Sequence, residues 1–133
     1  MLRKDITVHS HDHQELIDIT SDINDLIKQE GVSDGFCMIF VPHTTAAITI
    51  NEGADPDVKR DILSMLSSLI PKDGGYRHAE GNSDAHIKTS LLGSSEYVAI
   101  KDGRLLLGTW QHVFFYEGDG PRTRGVIIHI YSG

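Results

Sequence analysis

The chain is short of the residues that several specialised classes of protein depend on. Its single cysteine, Cys37, excludes an internal disulfide. No stretch reads as a signal peptide or is apolar enough to span a bilayer, so the expected setting is a reducing cytoplasm with no membrane partner. Basic residues are outnumbered: 12 Lys and Arg face 19 Asp and Glu, a formal charge of −7. That balance argues against a generic binder of phosphate backbones, and no nucleic acid partner is expected. It leaves room for a local basic pocket that holds a small anion. There is no glycine-rich phosphate loop, no dinucleotide fingerprint and no His-Glu-x-x-His zinc helix. Repeats, linkers and low-complexity segments are also missing.

What remains is ordinary in bulk. At 133 residues, with 39% hydrophobic and 23% charged, the chain reads as one domain spanning 1–133. A domain of that size buries roughly two-thirds of its unfolded surface.

Patterning along the chain predicts the elements. Leu2–His9 alternates and is rich in β-branched residues, so it reads as a strand, with Glu15–Ile19 as its hairpin partner across a polar turn. His9, His11 and His13 alternate and read as a solvated strand face. Thr20–Ser21 begin a helix whose apolar positions are Ile23, Leu26 and Ile27, and Gly31 stops it. Phe36–Val41 is a continuous apolar run, read as a central strand buried on both faces with Cys37 as a core thiol. Ala46–Asn51 is the next strand. Asp55-Pro56-Asp57 is a strong helix start, followed by a broad apolar stripe from Val58 to Ile70. A short helix over Ala85–Leu92 follows, with Asp84 as its cap. Tyr97–Ile100 and Leu105–Gly108 flank an Asp-Gly hairpin turn. Val113–Tyr116 and Gly125–Tyr131 are the last strands, and Trp110 is expected in the core. The fold class is α+β: a mainly antiparallel β-sheet with two main helices and a short third helix packed against it.

Three polar clusters stand out against this frame. Tyr76–Lys88 (YRHAEGNSDAHIK) has little that belongs in a core, and long polar segments inside compact domains are often functional loops. The other two, His43–Glu52 and Gly108–Arg124, sit at strand ends. His43 follows a buried strand and is held where its side chain can reach a cleft. His43, His78 and His86 together suit either a divalent metal, zinc above all, or metal-free proton transfer. Glu80 or Glu52 would be the acid–base partner. Gly81, Asn82 and Ser83 offer backbone N–H groups at a helix start, a natural seat for an anion. Lys88 and Arg122 are candidate anion holders, and Gln111 is a candidate pocket donor. A strand of about six residues spans roughly 20 Å, so His43 and Glu52 need not meet within one subunit.

The segments HTTAAITINE, ADPDVKRDI, EGNSDAHIKTSLLG, GRLLLGTWQ and EGDGPRTR resemble the YjbQ family, also labelled secondary thiamine-phosphate synthases, over essentially the whole chain. The resemblance implies a small α+β subunit of a homotrimer, with polar clusters near subunit boundaries. It carries a site onto His43, Thr44, Thr45, Asn51, Glu52, His78, Glu80, Gly81, Asn82, His86, Lys88, Trp110, Gln111, Glu117, Asp119, Gly120, Pro121 and Arg122. Of these, His43, Glu52, His78, Glu80 and His86 are the catalytic candidates. Thr44, Asn51, Asn82, Lys88, Gln111 and Arg122 are the substrate-binding candidates. The implied reaction joins a pyrimidine diphosphate to a thiazole phosphate and releases pyrophosphate. It calls for a divalent cation, for which Glu52, Asp55 and Asp57 are candidate magnesium ligands, and for cations to hold the leaving group. Two other readings stand beside it: a metal-dependent hydrolase of a small phosphorylated substrate, and a non-catalytic trimer that binds a small anion.

Overall fold

The structure is a computed structural model that describes residues 1–133. In chain order its elements are β1 (Leu2–His9), β2 (Glu15–Asp18), α1 (Thr20–Glu30), β3 (Gly35–Phe40), β4 (Ala46–Glu52), α2 (Pro56–Leu69), α3 (Ser83–Leu92), β5 (Ser95–Lys101), β6 (Arg104–Leu105), β7 (Gln111–Glu117) and β8 (Thr123–Ser132). The strands form two antiparallel sheets, ordered β1-β8-β3-β5-β6 and β2-β7-β4. No helix is long and apolar enough to cross a membrane.

The main core lies between the two sheets. β8 sends Val126, Ile128 and Ile130 inward at every second position, as an alternating strand must. Ile48, Val113 and Phe115 meet them from the smaller sheet, and Ile23 and Ile27 of α1 join the same cluster. The other face of the smaller sheet carries a second cluster of Leu16, Ala47, Phe114 and Tyr116, covered by half-buried Ile62, Leu63 and Leu66 of α2 and Leu92 of α3. The layers are therefore large sheet, core, small sheet, then α2 and α3, with α1 packed on the main core. β7 is the strand buried on both faces, with every residue from Val113 to Glu117 inside.

Several local expectations change in this context. β1 and β2 are not a hairpin: β1 pairs with β8, and β2 pairs with β7 in the other sheet. A short polar connection can join sheets as readily as strands, and its sequence does not say which. His9 lies in β1, while His11 and His13 lie beyond its end, so the three do not share a strand face. β3 is central in its sheet, but only alternate residues are buried, because its outer face has no layer over it. Cys37 is on the inner side, where burial pushes its thiol up to about 12. Ile19, which has no side-chain cap bond, holds the N-cap position of α1, and the preceding Asp18 carboxylate accepts from the Thr20 N–H at 3.0 Å. Thr20 already belongs to the helix, and its hydroxyl accepts from Val113 N–H at 2.8 Å. Gly31, at φ 67°, closes α1 as expected. Asp55 caps α2 by accepting from Asp57 N–H at 2.9 Å. Trp110 is not in the core; it is 61% exposed, in the connection before β7.

One buried ion pair joins the sheets. Glu117 at the end of β7 is fully buried, and its Oε1 accepts from Arg124 Nε of β8 at 2.9 Å. Its other oxygen takes Arg124 Nη2 and the Asp119 N–H, and Ser10 donates to Oε1 at 2.7 Å. Burial alone would push this carboxyl up. The Arg124 hydrogen bond, with those from Asp119 and Ser10, outweighs it and holds Glu117 below its ordinary range.

Removing one partner strands a buried charge, so Glu117→Ala is expected to lower the unfolding free energy by about 3–5 kcal/mol in urea denaturation. The paired change Glu117→Leu with Arg124→Met should cost clearly less than either single removal. The depressed carboxyl contributes stability above its unfolded pKa near 4.5, and that stability is lost as pH falls through the lower folded value. An equal loss from the single and paired changes would remove this account.

Candidate active site

The loop between β3 and β4 presents His43, Thr44 and Thr45 at one end of the smaller sheet. It is tied down from three directions. Arg124 Nη2 donates to Thr45 Oγ1 at 2.9 Å, Gly118 N–H donates to Thr45 O at 2.9 Å, and Thr89 Oγ1 of α3 donates to Thr44 O at 2.8 Å. His43 is thus fixed by groups 46 to 82 residues away in sequence.

His43 Nε2 lies 3.1 Å from both the carbonyl oxygen and the amide nitrogen of Gly125. A neutral imidazole can donate to the first or accept from the second, so either tautomer is satisfied. Nδ1 has no protein partner and is left to the cleft that His43 lines. Burial and the nearby Arg124 charge lower the His43 pKa, against the opposing pull of the Gly125 backbone and Glu117.

The facing wall of that cleft is α3. His86, Thr89 and Ser90 line it together with His43 and Thr44, in a cavity of about 360 Å³. His86 also borders an adjoining depression with Tyr76, Arg77 and His78. The His78 and His86 rings stand edge-on at 5.5 Å between centroids and 88°. Glu80 Oε2 is 3.8 Å from His78 Nε2, a loose, exposed pairing. His86 is therefore the element common to both depressions, and His43, His78, Glu80, His86 and Thr44 share one end of the molecule.

The other candidates are placed elsewhere or already occupied. Asn51 and Glu52 are at the far end of β4, opposite His112 and Gln111, about 20 Å of strand from Ala46. Gln111 is with them, its Oε1 accepting from Gly108 N–H at 2.8 Å. Lys88 is only 4% exposed and donates to Asp84 at 2.9 Å. Asp84 is thus the buried partner of Lys88 inside the first turn of α3, not its cap, and the Lys88 ammonium already has a carboxylate partner. Asn82 Nδ2 and Arg122 Nη2 both donate to Asp119 Oδ2, at 3.0 and 2.9 Å. Asp84 Oδ1 and Asn82 Oδ1 are buried without a hydrogen-bond partner.

A metal was expected on His43, His78 and His86. No three His, Cys, Asp or Glu side chains of the chain are gathered so that they could hold an ion. The alternative acids are engaged too: Asp55 caps α2, and Asp57 pairs with Arg60 at 3.0 Å.

Two positioning groups escaped sequence reasoning. Thr89 looks like an ordinary helix residue, and the Gly125 backbone that holds His43 has no side chain to read. Both act across long sequence separations, where spacing carries no signal.

In an NMR titration the His43 ring is expected to titrate below the ordinary 6.5, with neutral imidazole dominant at pH 7. The stability tied to that shift is present above the unfolded pKa and is lost as pH falls through the lower folded one. A His43 midpoint at or above 6.5 would contradict the Gly125 and Arg124 environment described here.

Comparison with known proteins agrees across the whole fold. The family model for the UPF0047 protein YjbQ-like family matches residues 4–133. A UPF0047 protein of Methanocaldococcus jannaschii is 55% identical over 123 residues, covering 92% of this chain and 89% of that one. The UPF0047 protein YugU of Bacillus subtilis is 46% identical, covering 94% and 96%. Among solved structures, a YjbQ/UPF0047 family protein of Clostridium acetobutylicum superposes with a TM-score of 0.93 at 51% identity, covering 96% of this chain and 99% of that one. A protein of Aeropyrum pernix superposes with a TM-score of 0.95 at 32% identity over 100% of both chains. With the matched residues spanning both sheets, all three helices and the histidine cleft, the chain belongs to the YjbQ-like UPF0047 family.

Proposed function

We propose that this protein is a cytoplasmic enzyme that acts on a small phosphorylated substrate by proton transfer at the His43–His86 cleft. The observation that carries the reading is the placement of His43 Nε2 at 3.1 Å from both backbone groups of Gly125. A ring satisfied in either tautomer can take a proton at Nδ1 or give one there without losing its anchor, which suits general acid–base work. His86 faces it across the cleft, and His78 with Glu80 provides a second proton-accepting pair beside it. Thr44 and Ser90 add hydroxyls for orienting a substrate.

The reaction proposed first is the one the family resemblance implies, a weak or secondary thiamine-phosphate synthase activity that joins a pyrimidine diphosphate to a thiazole phosphate. In that reaction the histidines serve the leaving pyrophosphate, because a proton delivered to a departing phosphate oxygen lowers its charge. Hydrolysis of a small phosphorylated substrate uses the same groups, with water as the nucleophile.

We also propose that the working unit is a homotrimer. The outer face of the larger sheet supports this: Phe36, 42% exposed, stacks on Tyr131 at 4.4 Å beside exposed Tyr97, and no layer covers them. Phe36→Glu should convert the trimer to monomer in light scattering with the subunit still folded; a monomeric wild-type protein would end this part of the proposal.

Replacing a proton-transfer residue typically costs 10²–10⁴-fold in rate. His86→Ala is therefore expected to lose about that much in turnover of the pyrimidine diphosphate and thiazole phosphate pair, or of a phosphate ester in a hydrolysis screen, with its melting temperature little changed. If wild-type protein turns over neither and binds phosphate esters at the cleft only as a stoichiometric ligand, the non-catalytic anion-binding reading replaces this one.

A further inference from the structure

The largest cavity lies away from the histidine cleft and shares no lining residue with it. This groove, of about 590 Å³, runs between α1, the β5–β6 turn and the start of β7. Its volume falls within the roughly 300–1,000 Å³ of small-molecule sites.

Its chemistry is set by which ends of its side chains are already used. Asn24 Oδ1 accepts from Leu105 N–H at 2.9 Å, and Gln111 Oε1 accepts from Gly108 N–H at 2.8 Å. Both amides therefore spend their acceptor on the backbone of residues 105–108. Each keeps an NH₂ that makes no hydrogen bond within the chain, and the orientation of each amide is dictated by the bond it makes. Lys101 and Arg104 also line the groove, and no carboxylate lies within ion-pair distance of either. Two unpaired cations thus share one concavity in a chain of net charge −7. Asp102 at the turn is the one opposing carboxylate among the lining residues.

His112 completes the rim. Its Nδ1 is 2.5 Å from Asp18 Oδ2, and because a carboxylate only accepts, Nδ1 carries the proton. The imidazole is held further by stacking on Phe114 at 6.3 Å and by Gly53, where a Cβ would come within 2.2 Å of the ring. Gly53 is thus a position where only a missing side chain lets the backbone pass. Nε2 has no protein partner. It can accept a proton from a monoprotonated phosphate, or donate to the dianion as imidazolium.

We propose that this groove is a second ligand site, independent of the histidine cleft, that takes the phosphoryl group of a small phosphorylated molecule through Asn24, Lys101, Arg104, Gln111 and His112. Two cations, two fixed amide donors and an oriented imidazole match the several acceptor oxygens of a phosphoryl group better than the two oxygens of a carboxylate.

The test uses inorganic phosphate as the probe, with chloride holding ionic strength constant, and follows the side-chain amide signals of Asn24 and Gln111 and the ring signals of His112 by NMR. Saturable shifts at all three with one dissociation constant are expected. The double variant Lys101→Ala with Arg104→Ala, both exposed, should weaken that binding at least tenfold with an unchanged melting temperature. His86→Ala protein should bind at the groove as wild type does. Acetate at the same concentrations should shift these signals far less, and equal response to acetate would overturn the phosphoryl assignment. Signals that stay still or drift linearly, or a double variant that binds as tightly as wild type, would overturn the site itself. Loss of groove binding in His86→Ala would overturn its independence.

Discussion

The structure turns on the Glu117–Arg124 pair. It is the polar contact at which the two sheets are bolted together: Glu117 ends the doubly buried strand of one and Arg124 opens the long strand of the other. Every further side-chain bond either residue makes goes to a segment with no regular structure of its own. Ser10 anchors the end of β1, Asp119 N–H anchors the turn after β7, and Thr45 anchors the loop that carries His43. A buried ion pair is a poor source of net stability, since desolvation cancels most of its attraction. What it supplies here is geometry. An apolar pair of equal volume would hold the sheets but not the Thr45 hydroxyl, so the His43 loop would lose its reference point.

That arrangement explains why the site is made of parts that look unrelated along the chain. His43 is positioned by Arg124 through Thr45, by Gly125 directly and by α3 through Thr89. α3 is in turn set by its buried Asp84–Lys88 pair, 2.9 Å long, and by Asn82 reaching Asp119. Asp119 is held below its ordinary range because Asn82 and Arg122 outweigh the cost of its burial. It stays charged and keeps the turn after β7 locked to the start of α3. Three polar networks, each centred on a carboxylate, thus surround the cleft without entering it. The side chains left to line the cleft include His43, His86, Thr44 and Ser90.

Much of the fold was legible because it rests on local rules. Alternation in β8, the Asp55-Pro56 start of α2 and the Asp102-Gly103 turn at φ 52° and 79° all read directly from residue type. Illegible parts depended on what lies across from them. The apolar run of β3 and the apolar run of β7 look alike, yet only β7 has a layer on each side. Trp110 has the size of a core residue but precedes the sheet instead of lying in it. Within the site, the histidines could be named from their polar surroundings. The fate of the charges could not, because Lys88 as an anion holder and Lys88 as the partner of Asp84 have the same sequence signature. The four-residue spacing that pairs them on a helix is also common on solvated faces.

The two ends of β4 extend the argument from position to chemistry. At one end the imidazoles of His43 and His86 are exposed to a cleft, with Arg77 beside His86; at the other, Lys101 and Arg104 are unpaired and the His112 imidazole is bound to Asp18. In the proposals above, the first end moves protons and the second holds a phosphoryl group. β4 separates them by about 20 Å within one subunit. A single substrate of metabolite size does not bridge that span along one chain. On the readings proposed above, the two ends therefore take different molecules. In that proposal the different chemistry of the two ends, more than any single residue, decides what each can bind.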